Sequence, residues 1–272
     1  MTIKHFKYPY FLLFIIFTGI LRAVPRYALE NGSSCILCHI DPSGGSLRND
    51  YGIAYGLDDL SAKLPKRLSS YTGIIIKHFQ IGGDVRFQSV TKKKGEVPSG
   101  LAIFPMQANF QIKTEVKKLT VLAELATLQS DYRVQFRLNG KIGYVKTGVG
   151  KPSFGLKLDD HTVFTRGGNI RLIHGNHREG MPFVPTLKNA PFLELGHYKG
   201  NTHYSFGMIK GYLYEKSESS YGRLEHFFSN GSLNKMIGAS FFRETTAAKD
   251  LQMVNLFGGL NRGNLSWMGE VT

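Results

Sequence analysis

Cysteine occurs twice in this chain of 272 residues, and both copies fall within Cys35-Ile36-Leu37-Cys38-His39. Two thiols three positions apart on one turn of backbone match the spacing of the two vinyl groups of one porphyrin. A histidine directly after the second thiol reaches the iron from the same side. C-x-x-C-H is accordingly the attachment pattern of a c-type haem, with His39 as the proximal iron ligand. The pattern predicts one covalent haem c, bound through Cys35 and Cys38. Two other chemistries use the same residues: a short Cys35–Cys38 disulfide, or a thioredoxin-like redox pair. A zinc centre needs further soft ligands, and the chain has no other cysteine.

The residues that follow would shape the surroundings of such a group. Pro42, Gly44 and Gly45 force a tight turn just after His39. Arg48 reads either as a partner for a haem propionate or as a solvated surface residue, and Leu47 and Tyr51 as cover for the porphyrin edge or as core. Leucines at 57, 60, 64 and 68 recur at helical intervals, which predicts a short amphipathic helix over 57–68 interrupted by Pro65. The sixth iron position has candidates by residue type only: Met106, His78 and His161, with His174 and His177 behind them. An open site, or one filled by a partner, stays equally available.

The N-terminus reads as an export signal. Lys4 and Lys7 precede the apolar run Phe11–Phe17, and Ala23 offers a cleavage site. That run is shorter than the ~20 residues of a spanning helix. Export agrees with the motif, because haem is joined to C-x-x-C-H outside the cytoplasm. The formal net charge of +14 is scattered in ones and twes along the chain apart from Lys92-Lys93-Lys94, so no nucleic-acid partner is expected. No Ser-His-Asp set, phosphate loop or paired carboxylates argue for a hydrolase, and the chain reads as a carrier, not an enzyme.

From about Ile74 the pattern changes to period two. Tyr204, Phe206 and Met208 share one face of a segment, with His203, Ser205 and Gly207 on the other. Leu265, Trp267 and Val271 likewise oppose Ser266 and Glu270. Strands are expected near 74–90, 101–115, 119–129, 131–138, 141–150, 192–199, 202–215, 220–229, 233–243, 250–260 and 264–272. Hairpin turns are expected at 92–100, 199–201, 230–231 and 261–264, with Asn230-Gly231 the strongest signal. The fold class is mainly β and antiparallel. A soluble β-sandwich and an outer-membrane-type β-barrel compete for it. Strand length, aromatics near strand ends and glycine within strands favour the barrel. Eleven strands make an odd, open set, and the chain stops inside the last of them, so the barrel reads as incomplete at its C-terminus. The division is residues 1–23 signal peptide, 24–70 mono-haem segment and 71–272 partial barrel. Gly150–Arg166, with Asp160 beside His161, interrupts the strand pattern as an ordered loop or a lumen-facing constriction.

With these residues in view, the chain resembles a family of exported bacterial porin-like proteins that carry one N-terminal c-type haem motif ahead of an outer-membrane β-barrel. The resemblance rests on Cys35, Cys38 and His39 with Pro42, Gly44, Gly45, Arg48, Tyr51 and Gly52. Weaker support comes from Phe104-Pro105-Met106-Gln107-Ala108 and from Gly155, Asp160-His161-Thr162 and Arg166. It implies electron transfer at the outer membrane, with the haem segment on the periplasmic side or within the barrel. Its partners would be outer-membrane lipid and periplasmic or extracellular electron-transfer proteins. It also implies Cys35 and Cys38 as thioether sites and His39 as axial ligand.

Overall fold

The computed structural model describes residues 25–42, 47–58, 73–94, 97–126, 131–156, 189–211 and 217–272. The proposed leader, the glycine turn at 43–46, most of the 57–68 segment, and Asp160, His161, His174 and His177 lie outside these residues.

Antiparallel hairpins dominate the chain because short polar turns separate its period-two segments. Twelve strands form one sheet in which sequence neighbours are also spatial neighbours. They are β1 (Ile74–Ile76), β2 (Phe79–Lys94), β3 (Val97–Val116), β4 (Leu119–Ala126), β5 (Asp131–Asn139) and β6 (Gly143–Gly150). After a long connection come β7 (Ala190–Lys199), β8 (Thr202–Lys210), β9 (Glu218–Asn230), β10 (Leu233–Thr245), β11 (Asp250–Arg262) and β12 (Leu265–Val271). All eleven neighbour pairs are antiparallel. Among the described residues β1 and β12 are not paired with each other, so the sheet is not closed. The expected turns at Gly200, Gly231 and Gly263 are present, each glycine at positive φ. Mirror-image hairpin turns require that conformation.

One expectation is corrected. The stretch read as a single strand over 74–90 is two strands, because Lys77-His78 turns the chain with His78 at φ 73. No glycine or asparagine marks that turn. The described strands therefore number twelve, an even set, where eleven were expected.

Burial on the sheet is inverted relative to a water-soluble core. In β8, Tyr204, Phe206 and Met208 are about half exposed, while His203 and Ser205 are 2% and 5% exposed. The same parity carries Leu193 and Leu195, Val254 and Leu256, and Leu265 and Trp267 to the exposed face. The opposite face buries Gln80, Gln135, Lys146, Glu194, Arg223, Glu225, Glu244 and Asn255. Among the described residues no helix is long and apolar enough to cross a membrane.

What covers the polar face is the chain's own N-terminal part. Helix α1 (Pro25–Glu30) starts on a proline suited to a first turn. It ends at Gly32, whose φ of 61 allows Ser33 N–H to return to the Ala28 carbonyl at 3.0 Å. Leu29 packs with Phe227, Met236 and Phe257. Asn234 Nδ2 donates to the Glu30 carbonyl at 2.7 Å. Further along, Leu47 and Ile40 pack on Leu122 of β4, Arg137 of β5 donates to the Ile40 carbonyl, and Gln80 of β2 donates to the Arg48 carbonyl at 3.1 Å. One short segment thus touches strands near both ends of the strand order, which requires the sheet to curl around it.

The two ends of the sheet differ. Every connection at one end is two or three residues long: 77–78, 117–118, 140–142, 200–201, 231–232 and 263–264. The other end carries the longer ones, including 151–189 and 211–217. The N-terminal segment sits toward the short-turn end, where Gln80, Leu122, Arg137 and Asn234 lie within a few residues of those turns. The longest connection begins by turning inward: Pro152, Ser153, Phe154 and Leu156 are buried, and Gly155 N–H donates to Ser240 Oγ at 2.8 Å. Of the stretch expected to be an ordered loop or a lumen-facing constriction, residues 151–156 leave the strand pattern, and Asp160 and His161 lie outside the described residues.

Candidate functional site

The C-x-x-C-H residues form one tight turn. Cys35–Leu37 is a single 3-10 turn. The backbone N–H groups of Cys38 and His39 both return to the Cys35 carbonyl, at 3.2 and 2.9 Å. Cys35, Cys38 and His39 are all partly exposed, and no disulfide joins the two cysteines. Burial pushes the Cys38 thiol up from its ordinary value, and the nearby Arg48 guanidinium draws it part of the way back down.

Asn49 holds this turn in place. Its Nδ2 donates to the Ile36 and Leu37 carbonyls, each at 3.0 Å. Its Oδ1 accepts from Gly52 N–H at 2.9 Å, capping helix α2 (Asp50–Asp58) in the manner preferred for asparagine. Its own N–H donates to the Cys38 carbonyl at 3.0 Å. Gly52 then lies so close to that carbonyl that any Cβ would collide with it. A backbone bridge between His39 and Arg48 and a bond from Ile40 N–H to the Leu47 carbonyl at 3.1 Å complete the clamp.

Beneath the clamp runs a continuous set of buried charges. Asp41, two residues past His39, is met by Lys146 Nζ at 3.3 Å and by Arg133 at 3.7 Å. Lys146 also pairs with Glu194 at 2.9 Å, and Glu194 accepts from the hydroxyls of Tyr144 and Tyr221 at 2.9 and 3.0 Å. The Tyr144 hydroxyl lies 3.3 Å from His203 Nε2, whose Nδ1 is 3.2 Å from Glu225. Arg223 closes the series: it pairs with Glu225 at 2.8 Å and donates to the Gly155 carbonyl at 3.1 Å. Buried ions are retained only when paired and hydrogen-bonded, and each of these has such a partner. The set joins the turn through Asp41.

The other residues singled out in the sequence fall in several places. Arg48 is exposed, with its guanidinium against Gly56. Leu47 is buried against the sheet, so it is core. Tyr51 is exposed, stacks on Tyr55 at 6.3 Å and donates to Asn31 at 2.9 Å. Of the proposed sixth ligands, His78 stands in the β1–β2 turn at the same end of the sheet as the motif. Met106 lies in β3, about 30 Å of strand from the β3–β4 turn. His161 lies outside the described residues. Among the described residues no group of three or more His, Cys, Asp or Glu side chains converges to hold a metal ion.

The donor set itself fits a thioether-bound porphyrin: two cysteines on one turn with no disulfide between them, an adjacent imidazole, and partial exposure of all three. Sequence reasoning missed Asn49 and the charge series. Asn49 is an asparagine directly before a helix start, a capping signal hidden because helix was expected over 57–68. Lys146, Glu194, Arg223 and Glu225 are each legible as inward-facing by parity, but their pairing has no local spacing. Compared with protein-family models, with curated proteins and with solved structures, the chain matches none.

Proposed function

We propose that the chain is a mono-haem c-type electron carrier held at the short-turn mouth of an outer-membrane β-barrel. Two kinds of support meet in it. The sheet exposes apolar side chains and buries charged ones, the arrangement of a sheet that faces lipid outward and a polar lumen inward. Every connection at one end is two or three residues long, and the longest connections stand at the other, as in outer-membrane barrels. The observation that carries the functional part is the C-x-x-C-H turn, clamped by Asn49 and Gly52 and seated on the polar face.

In this reading Cys35 and Cys38 would hold the porphyrin as thioethers, and His39 would ligate the iron. When bound, the group supplies a one-electron couple whose potential depends on ligand, burial and nearby charge. The chain's own residues set those surroundings: Asn49 and Gly52 fix the turn, and Asp41 ties it to Lys146.

The test is the absorption spectrum of the reduced, mature protein from cells competent in cytochrome maturation, with acid–acetone extraction. Sharp reduced bands that stay with the polypeptide are expected. Colourless protein, or haem that extracts freely, refutes the electron-carrier reading and leaves a sheet protein with a free or oxidised cysteine pair.

A further inference from the structure

The exposed charges of the sheet are unevenly placed. At the short-turn end Lys117, Lys118, Lys141, Lys199, Lys235 and Arg262 are all exposed. None of the six is ion-paired among the described residues. The exposed acids of the described sheet, Glu218 and Asp250, stand at the opposite end. There they face basic residues: Glu218 is in register with Lys210, and Asp250 pairs with Arg243 at 3.1 Å. Among the described sheet residues, exposed cations without an ion pair gather at the short-turn end.

Three of these cations also belong to the outward face. Lys199 follows the parity of Leu193 and Leu195, Lys235 that of Ile237, and Arg262 that of Leu260. In register, Lys235 lies beside Phe228 on one neighbour and Leu260 on the other, both exposed apolar residues. Arg262 lies between Leu233 and Leu265. A long cationic side chain at the edge of an apolar band extends its charge toward the polar boundary while its stem covers the band. A surface for an acidic protein would need charge only on the turn tips, not on the outward face.

We propose that these outward cations, Lys199, Lys235 and Arg262, form a collar for the phosphate headgroups of anionic phospholipid in the leaflet at the short-turn end. The collar rests on the barrel half of the proposed function and is independent of the haem. It sets which end of the sheet meets the anionic leaflet, and so keeps the C-x-x-C-H turn on that side.

The full chain is reconstituted in phosphatidylcholine, with and without phosphatidylglycerol, and spin-labelled forms of both lipids report the fraction immobilised on the protein. The wild type is expected to prefer phosphatidylglycerol. Each of Lys199→Gln, Lys235→Gln and Arg262→Gln is expected to lower that preference by up to about fivefold, the factor equivalent to about 1 kcal/mol per surface cation. Lys235→Arg is expected to retain it. Equal immobilisation of the two lipids by wild type, or an undiminished preference in all three glutamine variants, overturns the collar and leaves these cations to an acidic protein. Displacement of the lipid preference by inorganic phosphate overturns it in favour of a free-anion site. Failure of wild type to insert into either bilayer overturns the barrel and the collar together, whereas insertion without preference removes the collar alone.

Discussion

Replacing Asn49 by alanine tests whether one side chain holds the C-x-x-C-H turn. The variant loses two donated bonds at 3.0 Å, to the Ile36 and Leu37 carbonyls, and the cap to Gly52 N–H at 2.9 Å. A net hydrogen bond contributes about 1 kcal/mol, and an N-cap about the same, so the intact set contributes roughly 3 kcal/mol. Ile36 and Leu37 are partly exposed, and water can replace some of what is lost. About 2 kcal/mol should remain, equivalent to about a thirtyfold rise in local opening. Amide hydrogen exchange on the full chain measures it directly. The His39 and Gly52 amides should exchange about thirtyfold faster, with β8 and β9 unchanged. Asn49→Asp keeps the acceptor that caps α2 but loses both donors, so it should protect Gly52 while releasing His39. Unchanged exchange at His39 in Asn49→Ala, or equal effects on both amides in Asn49→Asp, would refute the clamp.

Two further outcomes follow from the inverted sheet. Lys146→Met leaves the Asp41 and Glu194 carboxylates buried without their shared cation. Breaking such a group costs about 3–5 kcal/mol, so the temperature at which the folded form shifts in gel mobility should fall clearly, while Asp41→Asn with Lys146→Met recovers part of it; a shift no larger than that of exposed Lys141→Met argues against the network. Trp267 is the chain's single tryptophan and is 59% exposed on the apolar face, so brominated lipid should quench its emission strongly and aqueous iodide weakly. The reverse order would place that face in water.

The strands were legible because their information is local. Asn230-Gly231 and Lys199-Gly200-Asn201 announce hairpins by composition, and the alternation of Tyr204, Phe206 and Met208 against His203 and Ser205 assigns faces without any knowledge of partners. The β1–β2 turn was not legible, since Lys77-His78 resembles strand and only the tertiary context holds His78 at positive φ. Helix α2 was hidden for a different reason. Gly52 and Gly56 depress its propensity, yet Gly52 is needed where the helix meets the Cys38 carbonyl, so packing overrides the local preference. In the site, Cys35, Cys38 and His39 stand out by spacing alone. Lys146 meeting Asp41 and Glu194 does not, because the partners come from segments 105 positions apart in one case and from the strand beyond a long connection in the other.

The bond from Asn234 to the Glu30 carbonyl spans 204 positions of the chain. It makes the earliest-synthesised part of the described protein the last to find its full set of neighbours. Contacts of such sequence separation form slowly, so until β10 and β11 arrive the two thiols stay on a short stretch that the sheet has not yet enclosed. Until that docking is complete, the turn carrying Cys35 and Cys38 rests on only part of its eventual seat.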